Sequence, residues 1–231
     1  MEKRSLTFVL FMLRLLSGLT GGVAGTLALF VVYFILITLV PRGDSSTISV
    51  FVMILMAFVG TLTANTITAI MVTFLDNSKY ARRKTIITHV FLFNLILFFL
   101  TIPLYFLGMS VGAATGVAAA HFLLSAYVSA LIMEVLAGYE YSLMGIYSTA
   151  LGIFVSFGFA LMLLALDVSA TAFTFIAMPV VWLILQMVGG LTELIYDNFL
   201  RYYGVDALNA GTDLGGDKEV EPKTADEEEN G

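Results

Sequence analysis

Charged residues are spaced far apart through most of this 231-residue chain. Runs without Asp, Glu, Lys or Arg cover 27 residues after Arg14, 31 after Asp44, 49 before Glu134, 26 after Glu140 and 25 after Asp167. A charged side chain at the centre of a bilayer costs several kcal/mol, so such runs locate membrane crossings. A helical crossing takes about 20 residues. The runs therefore predict one, one, two, one and one crossings, six in all.

The predicted fold is an all-α, polytopic transmembrane helix bundle with about six spans. The spans should be helices because unpaired backbone groups are not tolerated in hydrocarbon. Composition agrees, since 59% of the residues are hydrophobic and 12% are charged, against roughly 45–50% and 25% in soluble domains. The predicted spans are 19–40, 48–74, 86–107, 110–133, 143–166 and 172–194, within a membrane domain of residues 18–203.

The two ends of the chain differ from this membrane domain. Residues 1–17 are predicted to form a cytoplasmic or interfacial amphipathic segment, because the apolar run up to Val40 is too long for one perpendicular crossing. Either an interfacial helix lets Arg14 reach the headgroups, or one long helix protrudes from the membrane. Residues 204–231 hold nine acidic and two basic residues, which predicts a disordered acidic tail.

Basic residues predict the orientation of the bundle. Among residues 1–203, only Arg42 falls on one side of the predicted spans, and eight basic residues fall on the other: Lys3, Arg4, Arg14, Lys79, Arg82, Arg83, Lys84 and Arg201. The positive-inside rule then places both termini in the cytoplasm. We expect a multi-pass protein of the cell membrane if the chain is prokaryotic. The basic cluster at 79–84 is expected to fix the topology and to contact anionic lipid.

Glycines at helical spacing predict where helices approach closely. Small residues let two backbones come together in lipid, so such stripes are typical of helix–helix contacts. The expected packing positions are Gly18 and Gly22 in span one, Gly108, Gly112 and Gly116 in span four, and Gly145 and Gly152 in span five.

Polar side chains inside the spans are the candidate functional residues. Asn94 and His121 lie 14 residues before and 13 residues after Gly108, so a hairpin turn there puts both near the midplane. Thr61, Asn65 and Gln186 fall at comparable levels. These five residues either line a substrate or proton pathway, with His121 as the titrating member, or simply hydrogen-bond across helices. The carboxylates Glu134, Asp167 and Glu193 are expected at span ends, within reach of water.

Functional classes are narrowed mainly by what the sequence lacks. The chain contains no cysteine and no recognisable nucleotide-binding or metal-binding motif. We therefore expect no metal, cofactor or nucleic acid to bind, and we favour a small transporter-like, permease-like or channel-like protein. The alternative is a non-catalytic subunit or scaffold of a larger complex, with another membrane protein or a second copy as partner. A membrane-embedded enzyme comes third, because candidate acids, bases and nucleophiles are scarce.

Overall fold

The computed structural model describes residues 8–39, 46–77, 79–107, 111–166 and 170–195. Within these ranges the chain forms six helices and no strand, which confirms the all-α prediction. The helices are α1 (Phe8–Leu39), α2 (Ser46–Leu75), α3 (Arg83–Leu107), α4 (Val111–Ala137), α5 (Tyr139–Ala165) and α6 (Ala170–Ile195). The predictions for the turn at 108–110 and for the tail at 204–231 lie outside the described residues.

Each of the six helices contains a stretch that is long and apolar enough to cross a membrane, so the protein is a multi-pass membrane protein. The predicted spans agree with the helix ends to within four residues, except at the start of α1. That helix begins at Phe8, not near residue 19, and passes through Gly18 without a break. Of the two alternatives for the N-terminal region, the structure has the single long helix.

Two glycines of α1 lie directly against α6. A Cβ atom built on Gly18 would lie 2.5 Å from the carbonyl oxygen of Trp182, and one on Gly22 would lie 2.5 Å from the Cα of Pro179. Both distances are to backbone atoms, which cannot swing away as a side chain can. The absence of a side chain at these positions is therefore what allows α1 and α6 to cross so closely.

A third glycine of α1, Gly25, packs against α2 instead. A Cβ atom on Gly25 would lie 2.6 Å from the Cβ of Ala64 and 2.6 Å from the carbonyl oxygen of Gly60. Because α1 presents glycines to two neighbours, it lies between α2 and α6, and its contacts with both are the most extensive in the bundle. The mainly apolar core beside it consists of Leu29, Ala64, Ala126, Met178, Val181, Trp182 and Leu185.

The other predicted packing glycines have different surroundings. Gly152 faces Leu185 of α6, with 3.0 Å from an ideal Cβ to the nearest side-chain atom, and Gly145 lies against the side chain of Glu134. Gly116 makes no close contact, because it is exposed and no heavy atom lies within 4 Å of its ideal Cβ. Gly108 lies outside the described residues, as do the surroundings of Gly112.

A single glycine joins α4 to α5. Gly138 has a φ of 154°, a backbone conformation that residues with a side chain rarely adopt. The chain therefore reverses between Ala137 and Tyr139 with one residue outside the helices. This tight junction brings the start of α5 beside the last turn of α4, where Glu134 contacts Gly145.

Candidate functional site

Polar side chains of α4 recur once per turn along one face. His121, Ser125 and Ser129 are spaced four residues apart and are each no more than 2% exposed. They face polar residues of α2 and α3, whose positions are set by the packing of these three helices. We call this set the polar layer, which comprises Thr61, Asn65, Asn94, Thr101, His121, Ser125, Ser129 and Trp182.

Asn65 of α2 is the centre of the polar layer. Its amide nitrogen donates to Asn94 Oδ1 at 2.9 Å and to Ser125 Oγ at 2.7 Å. Its amide oxygen accepts a hydrogen bond from the indole nitrogen of Trp182 at 3.0 Å. Asn65 thus connects α2 to α3, α4 and α6 with one side chain, which satisfies the buried polar groups that face it.

Asn94 of α3 completes this part of the layer. Its amide nitrogen donates to Ser129 Oγ at 2.9 Å and to the Val90 carbonyl oxygen at 2.7 Å. Its amide oxygen also accepts a bond from Ser125 Oγ. The polar groups therefore contact each other across three helices, as the hydrogen-bonding interpretation of the sequence expects.

His121 lies between two threonine hydroxyls. Its Nδ1 is 3.0 Å from Thr101 Oγ1 of α3, and its Nε2 is 3.5 Å from Thr61 Oγ1 of α2. Both hydroxyls also donate to backbone carbonyl oxygens of their own helices, those of Leu97 and Ala57. Each ring nitrogen thus has a threonine hydroxyl beside it, and a neutral imidazole can donate to one of the two through its single N–H.

Four buried charged residues gather at one end of the bundle, beyond the polar layer. We call Arg14, Lys79, Glu134 and Glu193 the ion network; their side chains are between 1% and 7% exposed. Arg14 Nη1 lies 3.0 Å from Glu193 Oε2, and Arg14 Nη2 contacts Glu134 Oε1. Lys79 Nζ lies 2.7 Å from an oxygen of each glutamate. Each cation therefore contacts both carboxylates.

The ion network joins segments that are distant in sequence. Arg14 is on α1, Lys79 is in the link between α2 and α3, Glu134 is near the end of α4, and Glu193 is near the end of α6. Space for the arginine exists because α6 carries Gly189, whose ideal Cβ would lie 3.0 Å from Arg14 Nη2. Within these four residues two positive and two negative groups offset each other, which makes their burial tolerable. A further buried carboxylate, Asp76, lies beside them and accepts a hydrogen bond from the Lys79 backbone N–H at 3.4 Å.

Two neutral groups border the ion network. Tyr80 donates its hydroxyl to Glu134 Oε1 at 2.9 Å, and burial raises the pKa of this phenol well above 10, so it stays a donor. Gln186 of α6 accepts a bond from Arg14 Nε at 3.0 Å. Trp182 of the polar layer lies one helical turn before Gln186, so α6 carries both groups along one face.

A small recess adjoins the ion network. It is lined by Leu10, Arg14, Val72, Leu75 and Asp76 and has a volume of about 10 Å³. That volume is close to the minimum needed for one water molecule. The recess therefore suits water beside the Arg14 guanidinium and not a larger ligand.

The structure brings four of the five candidate pathway residues together: Thr61, Asn65, Asn94 and His121. Gln186 instead binds Arg14 at the edge of the ion network. Thr101, Ser125, Ser129 and Trp182 were not among the predicted residues. On α4, the four-residue spacing of His121, Ser125 and Ser129 is the sequence pattern that could have indicated the two serines.

The structure contradicts one of the two alternatives for Arg14 and two expectations about other charged residues. Arg14 is 6% exposed and does not reach the headgroups as the interfacial-helix alternative required, because α1 places it against α4 and α6. Glu134 and Glu193 are 4% and 1% exposed and are not open to water. Lys79 is 3% exposed and so is not placed to contact lipid, whereas Arg82 and Lys84 are exposed and Arg83 is partly exposed. Asp167 lies outside the described residues.

No protein-family model, no curated protein and no solved structure matches this chain. Its function therefore has to be inferred from its own residues and their geometry.

Proposed function

We propose that the protein is a small transporter-like membrane protein in which the polar layer forms a path for protons and the ion network closes that path at one end. The observation that carries this proposal is the burial of the four charges of the ion network. Apolar side chains of similar volume would hold the same helices together at no greater cost in stability. Ionisable residues inside a membrane bundle are thus a functional hypothesis by default.

The arrangement of charges in the ion network would allow this end of the bundle to open and close. Lys79 and Arg14 each contact both Glu134 and Glu193. A helix shift can therefore break one ion pair while each charge keeps another partner. The contacts span α1, α4, α6 and the link between α2 and α3, so opening at this end would involve most of the bundle.

The polar layer suits a proton better than a bulky solute. Its members form two hydrogen-bonded groups, one around Asn65 and one around His121, which has a threonine hydroxyl beside each ring nitrogen. An imidazole can take up and release a proton, which the amide side chains of the layer cannot do. His121 would carry the proton, while Asn65 and Asn94 would hold α2, α3 and α4 in register.

The proposal also includes the orientation of the bundle in the membrane. The positive-inside rule places the ion network at the cytoplasmic end, with both termini in the cytoplasm. Closure would then be on the cytoplasmic side, and the end of the bundle nearest Thr101 would face the opposite side.

Proton flux into proteoliposomes tests the proposal. Vesicles with trapped pyranine and a potassium diffusion potential should acidify faster with the protein than without it. His121→Ala should slow this flux at least about tenfold, the low end for loss of a proton-transfer group. His89→Ala is the matched control, because His89 is the other histidine and lies exposed at the start of α3. Wild-type flux in both His121→Ala and Asn94→Ala would overturn the proposal.

A non-catalytic subunit of a membrane complex is the second candidate. The mutual hydrogen bonds of Asn65, Asn94, Ser125, Ser129 and Trp182 favour it, since a purely structural layer needs no further partner. In that case His121→Ala changes the stability of the bundle, and the wild-type protein conducts no protons above the level of empty vesicles.

A further inference from the structure

Three cationic residues lie together where α3 begins. Arg82 and Lys84 are exposed, and Arg83 is partly exposed. Within the described part of the chain, the ion pairs involve Arg14 and Lys79 and none of these three residues. Their charges are therefore directed outward, whereas the charge of the neighbouring Lys79 is satisfied inside the bundle. We call Arg82, Arg83 and Lys84 the basic patch.

The basic patch lies at the boundary of the apolar surface. The guanidinium carbon of Arg83 is 4.6 Å from the ring centroid of Phe74, and Phe74 is 60% exposed at the end of α2. Arginine stacks well on aromatic faces, and the contact limits the directions in which its donors can point. The guanidinium is thus held beside a ring that the acyl chains of the bilayer would contact.

An exposed apolar face runs along α3 beyond the basic patch. Leu92, Ile96 and Phe99 are 46%, 56% and 62% exposed and follow each other at intervals of four and three residues, on one face of the helix. The face begins two turns beyond Lys84. Positive charge at one end and apolar surface along the rest match an amphiphile, whereas a free phosphate ion would use only the charged end.

We propose that the basic patch binds the headgroup phosphate of an anionic phospholipid whose acyl chains lie along this face of α3. Arg82, Arg83 and Lys84 would contact the phosphate oxygens, and Leu92, Ile96 and Phe99 would contact the chains. The site is independent of the proposed proton path, because none of its residues belongs to the polar layer or to the ion network.

Lipid selectivity of the full chain in nanodiscs tests this site. Spin-labelled phosphatidylglycerol and phosphatidylcholine are compared by the fraction of label that the protein immobilises. Wild-type protein should favour phosphatidylglycerol, and Arg82→Gln/Arg83→Gln/Lys84→Gln should reduce that preference at least about threefold, since each cation near an anionic surface adds to the attraction. Both leaflets have one composition, so insertion orientation does not affect the result.

Two further variants complete the test. Arg83→Gln should lower the preference more than Arg42→Gln, which removes one charge from a separate part of the chain. Arg82→Lys/Arg83→Lys should keep most of the preference, because the charge remains. Unchanged selectivity in the triple variant, or loss of wild-type selectivity in 10 mM inorganic phosphate at constant ionic strength, would overturn the proposal; the latter would identify a site for free phosphate.

Discussion

Arg14 and Glu134 are 120 residues apart in sequence and form an ion pair inside the bundle, where their side chains are 7% and 5% exposed. Neither residue is a strong candidate from its sequence position alone. Arg14 interrupts an apolar run near the N-terminus, and Glu134 lies near the end of a span. Their contact defines the end of the bundle at which α1, α4 and α6 are tied together.

Removing Arg14 should strongly destabilise the bundle. Arg14→Gln leaves Glu134 and Glu193 with a single cationic partner in a buried site, so the free energy of unfolding should fall by about 3–5 kcal/mol. Unfolding in mixed detergent micelles measures this change. Arg82→Gln is the control, and it should stay within about 0.5 kcal/mol of wild type because Arg82 is exposed.

A double-mutant cycle tests whether the pair itself is responsible. In Arg14→Gln/Glu134→Gln the network keeps one cation and one anion, Lys79 and Glu193, at 2.7 Å. The double variant should therefore be more stable than the sum of the single effects predicts, by about 1–3 kcal/mol. Simple additivity would show that Arg14 and Glu134 do not interact in the folded protein.

Asn65→Leu should change the fluorescence of the bundle as well as its stability. Trp182 is the single tryptophan of the chain, and its indole donates to Asn65. Loss of that acceptor should shift the emission maximum to shorter wavelength, and loss of three interhelical bonds should cost about 2–6 kcal/mol at about 0.6–2 kcal/mol each. Thr63→Ala, two residues away on α2, should leave the emission maximum unchanged. An unshifted spectrum for Asn65→Leu would mean that the indole bond is absent.

Alanine at two glycines should have opposite effects. Gly22→Ala puts a Cβ 2.5 Å from the Cα of Pro179, so α1 and α6 must separate, at a cost of about 1–3 kcal/mol. Gly116→Ala meets open space and should stabilise α4 by up to about 1 kcal/mol, because alanine favours the helix. Thermal unfolding of both variants in one detergent gives the comparison. Equal destabilisation would contradict the helix arrangement.

Tyr80 should make stability depend on alkaline pH. Burial raises the pKa of this phenol in the folded protein above its ordinary value of 10, so the unfolded chain releases the proton first. The stabilising contribution is complete below about pH 10 and is lost as the pH rises towards the folded pKa. Tyr80→Phe should therefore lose less stability than wild type between pH 9 and pH 11, as followed by thermal unfolding. Parallel pH curves would contradict this role.

The fold could be predicted from the sequence because lipid imposes a simple rule: charges mark the ends of spans. The same rule fails for Arg14, Glu134 and Glu193, since a charge can lie within a helix when partners from other helices offset it. Those partners are 120 and 179 residues away in sequence, and no local pattern encodes such distances.

The polar layer was partly predictable for a related reason. Symmetry about a predicted turn near Gly108 selected Asn94 and His121 and placed them at one depth. In the structure His121 contacts Thr101, seven residues after Asn94 on α3, whereas Asn94 contacts Ser125 and Ser129. The two residues therefore belong to the same layer but lie about two helical turns apart. Trp182 was not predicted, because a tryptophan in an apolar helix usually packs in the hydrophobic core. Only the structure shows that its indole N–H donates a hydrogen bond to Asn65. Gln186 was predicted at a level comparable with the other candidates, but its side chain accepts a hydrogen bond from Arg14.

Cysteine labelling at position 129 tests most directly whether the ion network closes a path to the polar layer. The chain has no cysteine, so Ser129→Cys provides one thiol for a charged methanethiosulfonate reagent added to proteoliposomes at the Arg14 end. The thiol should be unreactive with the network intact and should react once Glu193→Gln weakens it, while Ile96→Cys on the lipid-facing surface stays unreactive in both backgrounds. A Ser129→Cys thiol that is equally reactive with and without Glu193→Gln would contradict the account.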